Sequence, residues 1–337
     1  MSPAPEATED TQESGVNRRA LLGGAAALAA FAGIGPLRAQ SHAAPRSYRL
    51  EAVEIAARTW CVYGAQEDLT RANGGAIANA AFIQTPDGVV VIDTGPSKRY
   101  GEALAQLVAD RLPGKRILRV YNTHHHPDHV FGNQAFPREA LAAPQAVIEA
   151  MTAQGEALAA NMYRILGDWM RGTVPTPPGR ALNASREEIG GRVFTLTELK
   201  GHTACDLVVR DEETGLVFAG DLAFLDRAPT TPNADLPAWR ASLAALRRME
   251  RESLLPGHGP VDPAGASLEQ TLDWLDWLEG TLRESVARGL TMNEAMATPI
   301  PARFAALGVA RTEFERSVVH LRTRLEEEIL AEAPSGG

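Results

Sequence analysis

Cysteine is scarce: the 337-residue chain has two, Cys61 and Cys205, far apart in the sequence. A disulfide-stapled scaffold is excluded, and two buried free thiols are the expected state, although spacing alone does not decide whether they pair. Long blocks of single-sign charge are also missing. The formal charge of -9 is spread along the chain, which argues against a nucleic-acid groove or an anionic membrane surface and leaves a small-molecule substrate as the expected partner. Beyond the N-terminal segment there is no low-complexity tract and no internal repeat, so solenoids and linker arrays are excluded as well. At 45% apolar content the chain can bury one large core or two modest ones.

A strongly hydrophobic spanning run is absent too. The only long apolar stretch, "ALLGGAAALAAFAGIGPL", is rich in Gly and Ala, follows Arg18 and Arg19, and precedes small residues at Ala39 and Ala43. Polar segment, twin arginine, weak apolar core and small-residue cleavage region are similar to a twin-arginine export signal. The expectation is removal of residues 1–43, no membrane span afterwards, and a mature periplasmic protein exported already folded.

After this segment the chain turns β-rich. "SYRLEAVEIA", "RTWCVYG", "GAIANAAFIQT" and "GVVVIDTG" predict a meander, the last two strands joined by the turn "PDG". Leu104, Leu107, Val108 and Leu112 recur at helical spacing behind Ser97, which sits where an N-cap belongs. "RILRVYNT" predicts another strand, residues 144–169 a long helix, and "RGTVPTPPGRAL" a Pro/Gly-rich loop. Strands then restart with "GRVFTLTEL", "DLVVRD" and "TGLVFAGD". A helix over 236–249, a short strand "ESLLPGHG" and helices from Ala266 onward follow. Strands plus helices, twice over, predict two packed βα layers rather than one parallel sheet.

The chemistry-bearing stretch is "THHHPDH", directly after a predicted strand. His124 and His126 lie two apart on extended chain, so their rings can share one ion, and Pro127 turns the chain so that Asp128 and His129 can serve a second. A metal site needs more ligands, held on rigid elements. His202 in "KGHT", Asp221 in "AGDL" and His258 in "PGHG" each follow an apolar run and neighbour a glycine. Of the eight histidines in the chain, five belong to this set. The other three are His42 in the export region, His125 as the spacer, and His320 on a C-terminal helical pattern.

This order of motifs, together with "VVVIDTG" and its Asp93, resembles the metallo-β-lactamase superfamily over roughly residues 50–265. The resemblance implies an α/β (α+β) fold, a four-layer αββα sandwich. It divides the mature chain into a catalytic domain over 44–265 and a C-terminal helical extension over 266–337 packed on it. It implies one metal on His124, His126 and His202, a second on Asp128, His129 and His258, a bridging Asp221, and Asp93 as a buried support for the metal loops. Two zinc ions are implied, although nitrogen and oxygen ligands also suit iron or manganese. The implied reaction is hydrolysis of a small ester, thioester, lactone or amide by a hydroxide shared between the ions, with Asp128 orienting it and shuttling its proton.

Antibiotic-hydrolysing members generally carry Cys or Ser at the position of Asp221, whereas an aspartate there is similar to thioesterase, lactonase and phosphoesterase members. The loops "NMYRILGDWMRGT" and "LDRAPTTPNAD" resemble the subgroup named quinoprotein relay system zinc metallohydrolases, which makes a quinoprotein partner an expectation. The same loops put Trp169, Arg227, Thr230, Thr231 and Asn233 forward as substrate contacts. Alternatives remain open: β-lactamase-like activity, a mononuclear iron sulfur dioxygenase, or a non-catalytic metal-binding accessory. Substrate and oligomeric state are not legible.

Overall fold

The computed structural model describes residues 47–332; the twin-arginine segment lies outside them. Two mixed sheets stack face to face. The first holds β1 (Val53–Ala56), β2 (Thr59–Val62), β3 (Ala80–Gln84), β4 (Gly88–Ile92), β5 (Arg116–Tyr121), β6 (Leu141–Ala143) and β7 (Arg180–Ala181) in that spatial order. Its first four strands are antiparallel and the rest run parallel. The second is ordered β12 (Ser253–His258), β11 (Leu216–Phe224), β10 (Asp206–Asp211), β9 (Arg192–Leu199), β8 (Arg186–Ile189), with only β11 and β12 parallel.

Period-two alternation builds the layers. Val90 and Ile92 of β4, with Cys61, Ile83 and Tyr121, meet Phe194, Leu207, Val209 and Phe218 between the sheets. Val89 and Val91 of the same strand face outward onto Tyr100, Leu104 and Val108 of α1 (Lys98–Arg111). Because both faces of β4 are covered, its sequence is an unbroken apolar run. Ser97 caps α1 by accepting from the Tyr100 backbone N–H at 3.2 Å, as its position in the sequence predicts. The outer face of the second sheet is covered by α4 (Leu236–Arg248), α5 (Ala266–Ala287) and α8 (Ala310–Glu332), through Trp239, Trp274, Leu278, Phe314 and Val318. The order of layers is therefore helix, sheet, sheet, helix, as expected.

Differences from the sequence reading lie in short or irregular elements. β6, β7 and β8 carry too few residues for a pattern, and β7 sits inside the segment expected to be a Pro/Gly-rich loop. The turn at Pro127 is a helical one, α2 (Pro127–Val130), and the long α3 (Gln145–Leu166) ends in a 3-10 turn over Gly167–Met170. The C-terminal helices are four: α5, α6 (Met292–Met296), α7 (Ala302–Ala305) and α8. Cys61 and Cys205 are buried and unpaired, the first between the sheets and the second in the cluster around α3. Among the described residues no helix is long and apolar enough to cross a membrane.

Candidate metal centre

All the site residues except Asp221 lie at or just beyond the end of a strand or on the short turn that follows it. β5 releases the chain at Tyr121, and Thr123 and His124 follow it into the cleft. Pro127 stands at the first position of α2, where its fixed φ suits the helix and its missing N–H costs nothing. This single turn brings Asp128 and His129 round to the same side. His202 lies in the bend between β9 and β10. Asp221 lies in the middle of β11, where the pairing with β12 slips on either side of Gly220 and re-aims the strand. His258 is the last residue of β12, and a side chain at its neighbour Gly257 would place a Cβ 1.9 Å from the Asp221 carboxylate.

Seven side chains meet there in two groups: His124, His126, His202 and Asp221, and Asp128, His129 and His258. Asp221 is central. One of its oxygens lies 3.8 Å from His124 Nε2, 3.3 Å from His202 Nε2 and 3.4 Å from His258 Nε2; the other is 3.1 Å from His129 Nε2. His126 Nδ1 and His202 Nε2 converge at 2.9 Å. Asp128 Oδ2 stands 3.5 Å from His258 Nε2 and 3.9 Å from His129 Nε2.

Four of the five outward nitrogens have partners, and His202 Nδ1 is buried without one. His129 Nδ1 donates to Asp93 Oδ2 at 2.8 Å and His258 Nδ1 to the Ile77 carbonyl at 2.7 Å. His126 Nε2 donates to Asn233 Oδ1 at 2.9 Å. His124 Nδ1 meets Thr123 Oγ1 at 3.0 Å, and that hydroxyl in turn donates to Asp93 Oδ2 at 2.7 Å. Such bonds choose the tautomer and leave the inner nitrogen with a bare lone pair. The inner Nε2 atoms of His124, His129 and His258 and Asp221 Oδ1 are buried and accept no hydrogen bond. Buried polar atoms in this state need a partner. The residues present fit the holding of divalent metal, in the two groups named above.

Electrostatics divide the rings between charged and neutral forms. Burial alone would raise the Asp221 carboxyl, but the rings of His258, His129 and His202 outweigh it and hold it well below the usual carboxylate range. Burial alone would depress His129; the charges of Asp221, Asp128 and Asp93 overcome it and hold the ring well above its ordinary value. Burial dominates at His124 and His202, which fall well below theirs, the direction that favours the neutral imidazole a metal would need.

The loop after β11 lines the cavity beside the converging side chains through Arg227, Thr230 and Asn233, and it is also gripped from behind by α8. Arg227 and Thr230 turn to Glu313 of α8, at 3.5 and 2.8 Å, and Thr231 bonds Ser317 of α8 at 2.6 Å. Arg324 of α8 donates to the Ala234 carbonyl at 3.0 Å. These contacts leave Thr231 buried against α8 and hold Asn233, which also lines the cavity, against His126. Trp169 is absent from the lining of the metal cavity. It is 2% exposed, packs 4.3 Å from the Tyr48 ring and donates to the Arg71 carbonyl at 2.9 Å, because Gly167, at φ +60°, folds the end of α3 back onto that side.

Sequence reading passed over other participants. Asn79 donates to the carbonyls of Pro256 and Gly259 at 2.9 and 2.8 Å and so clamps the His258 turn; its signal was a lone amide inside the apolar run "AIANAAF". Asp206 holds the His202 bend through the Thr203 N–H at 3.0 Å and hydroxyl at 2.9 Å, and burial pushes its carboxyl up to about 7. His320 and Arg316 line the cavity of about 350 Å³ that opens beside the metal ligands, although only an i, i+4 spacing on a C-terminal helix marked them.

Asn233→Ala is expected to weaken binding of the ion held by His124, His126 and His202 by roughly tenfold, since it frees the outer nitrogen of one ligand. Competitive chelator titration measures this. Unchanged affinity would make the His126–Asn233 contact incidental.

Comparison with known proteins places these residues in context. The chain is 27% identical over 138 residues to a hydroxyacylglutathione hydrolase of Synechococcus sp. (strain JA-2-3B'a(2-13)), covering 39% of this chain and 46% of that protein. It is 23% identical over 282 residues to a linear primary-alkylsulfatase of Pseudomonas sp. (strain ATCC 19151), covering 71% of this chain and 53% of that protein. The chain thus spans about half the length of these curated relatives. Among solved structures, a metallo-β-lactamase from Pontibacter korlensis superposes with a TM-score of 0.52 at 22% identity, over 68% of this chain and 99% of that one. The inverting sec-alkylsulfatase Pisa1 from Pseudomonas sp. gives 0.60 at 19% identity, over 85% and 51%. At these identities the structures speak for the fold. The family model described as the metallo-beta-lactamase superfamily matches residues 73–276, a span that holds all seven converging side chains, and the chain belongs to that superfamily.

Proposed function

We propose that this chain is a dinuclear, zinc-dependent hydrolase of small ester, thioester, lactone or amide substrates. The observation that carries the reading is the set of inward-facing ring nitrogens without partners around Asp221, each with its outer nitrogen secured. His124, His126 and His202 would hold one ion, Asp128, His129 and His258 the other, and Asp221 would lie between them. Ions held there supply Lewis acidity and make a coordinated water acidic enough to deprotonate near neutral pH.

The chain's own side chains do the rest. Asp128 stands at the cavity wall and is only partly buried, so it can accept a proton at its carboxylate and pass it to a leaving group. The cavity of about 350 Å³ is walled by Leu69, Ile77, Leu158 and Ile165 alongside the polar ligands. It can therefore exclude water from one side of a short acyl group. The curated relatives named above are by name a hydroxyacylglutathione hydrolase and an alkylsulfatase, which supports ester-like chemistry. The twin arginine supports a periplasmic site of action, and the loop resemblance supports an association with a quinoprotein.

Metal analysis of the mature protein, followed by turnover of an ester, thioester, lactone and β-lactam panel, tests this. Two zinc equivalents with hydrolysis of at least one class of ester are expected. A single iron equivalent would favour the dioxygenase alternative, and full loading without turnover of any substrate would favour the accessory one.

A further inference from the structure

The cavity beside the metal ligands has a wall from outside the family-matched span. Arg316 and His320 stand four residues apart on α8, hence on one face, and both line it; Arg227 reaches it from the loop after β11. Arg227 is 2% exposed, yet it is poorly served. Its guanidinium reaches Thr230 Oγ1 at 3.4 Å and Glu313 Oε1 at 3.5 Å, and its Nε is buried with no acceptor. Arg316 Nη1 donates to the same Glu313 oxygen at 2.9 Å. One carboxylate therefore faces two guanidinium groups, and its other oxygen has no partner.

Burial pushes the Glu313 carboxyl up against the pull of Arg227 and Arg316, which further weakens its compensation of them. Asp68, the other acid at this end, already accepts from Thr312 at 3.0 Å. A buried guanidinium with a spare donor is costly unless an acceptor arrives, and the planar fork of arginine suits an oxyanion. The apolar side chains of the same lining, Leu69, Ile77, Leu158 and Ile165, offer no such acceptor. At about 30 Å³ per water-sized group, 350 Å³ has room for a short chain only.

We propose that Arg227 and Arg316, flanked by His320, form a carboxylate-binding subsite, and that the substrates are short-chain esters or thioesters carrying a carboxylate at the end remote from the scissile bond. This rests on the hydrolase reading above. Substrate acid and scissile carbonyl would then occupy opposite ends of one cavity, and α8 would set the charge preference.

Calorimetry of the metal-loaded protein with glutarate and with its neutral-ended monoamide, glutaramate, tests the subsite without turnover. Glutarate is expected to bind about tenfold more tightly. Arg316→Gln should remove that preference by weakening glutarate alone, and Arg316→Lys should restore part of it. Equal affinity for the two probes, or an equal loss of both in Arg316→Gln, would overturn the subsite. A folded Arg316→Gln protein is confirmed by unchanged glutaramate binding; if that variant does not fold, the comparison of the two probes on the unaltered chain decides. The 4-nitrophenyl monoesters of glutaric and glutaramic acid then separate the two readings. Charge discrimination without ester turnover leaves the subsite and defeats the hydrolase, whereas turnover without discrimination does the reverse.

Discussion

His258→Ala is expected to bind about one equivalent of divalent metal where two are expected of the unaltered chain, and to lose about 10³-fold in turnover, equivalent to about 4 kcal/mol of barrier. The ring it removes is buried, directs Nε2 to within 3.4 Å of Asp221 and 3.5 Å of Asp128, and is secured by the Ile77 carbonyl behind it. Nothing else on β12 reaches that point, since its neighbours are Gly257 and Gly259. His124→Ala should remove the other equivalent in the same way. His125→Gln is the control: its ring lies 4.9 Å from that of His126, outside the converging set. Metal content by elemental analysis together with steady-state rates checks all three. Two full equivalents in His258→Ala would refute the ligand assignment, and an equal loss in His125→Gln would mean that the wrong ring was chosen.

Asp93→Asn is expected to reduce metal affinity and turnover by about 10- to 100-fold, the range for loss of a group that orients a ligand. Asp93 takes three donors in a buried corner: the Thr123 N–H at 2.9 Å, the Thr123 hydroxyl at 2.7 Å and His129 Nδ1–H at 2.8 Å. It does so from φ +58°, a backbone region that a non-glycine residue enters at a cost and that asparagine tolerates. The substitution therefore preserves the turn while replacing one acceptor oxygen with a donor. His129 would lose its fixed tautomer, and His124 would loosen through Thr123. Chelator competition and the melting temperature of the metal-free protein separate the effects. A large fall in metal-free stability with undiminished affinity would make Asp93 a structural residue alone.

Strong periodicity and clustered ligand types made much of this molecule readable in one dimension. The β4 run, the Ser97 cap, the α1 stripe and the partition of histidines into five in the set and three outside it were all visible there, because alternation, capping chemistry and ligand chemistry act over a few residues. The same local logic missed β6, β7 and β8, whose two to four residues hold no period and which exist because neighbouring strands offer them hydrogen bonds. It also put Trp169 at the substrate, where the backbone reversal at Gly167 carries the ring to Tyr48 instead.

The sequence by itself determined which side chains can carry metal chemistry, since imidazoles and carboxylates are chemical facts of the chain. Only tertiary structure decided what holds and surrounds them. Asn233 supports His126 because α8 grips its loop through Glu313, Ser317 and Arg324, residues 80 or more positions away. Arg316 and His320 share a cavity with Asp128 for the same reason. Such pairings arise from packing between distant elements, and no period or motif in a single strand or helix encodes which distant surface it will meet.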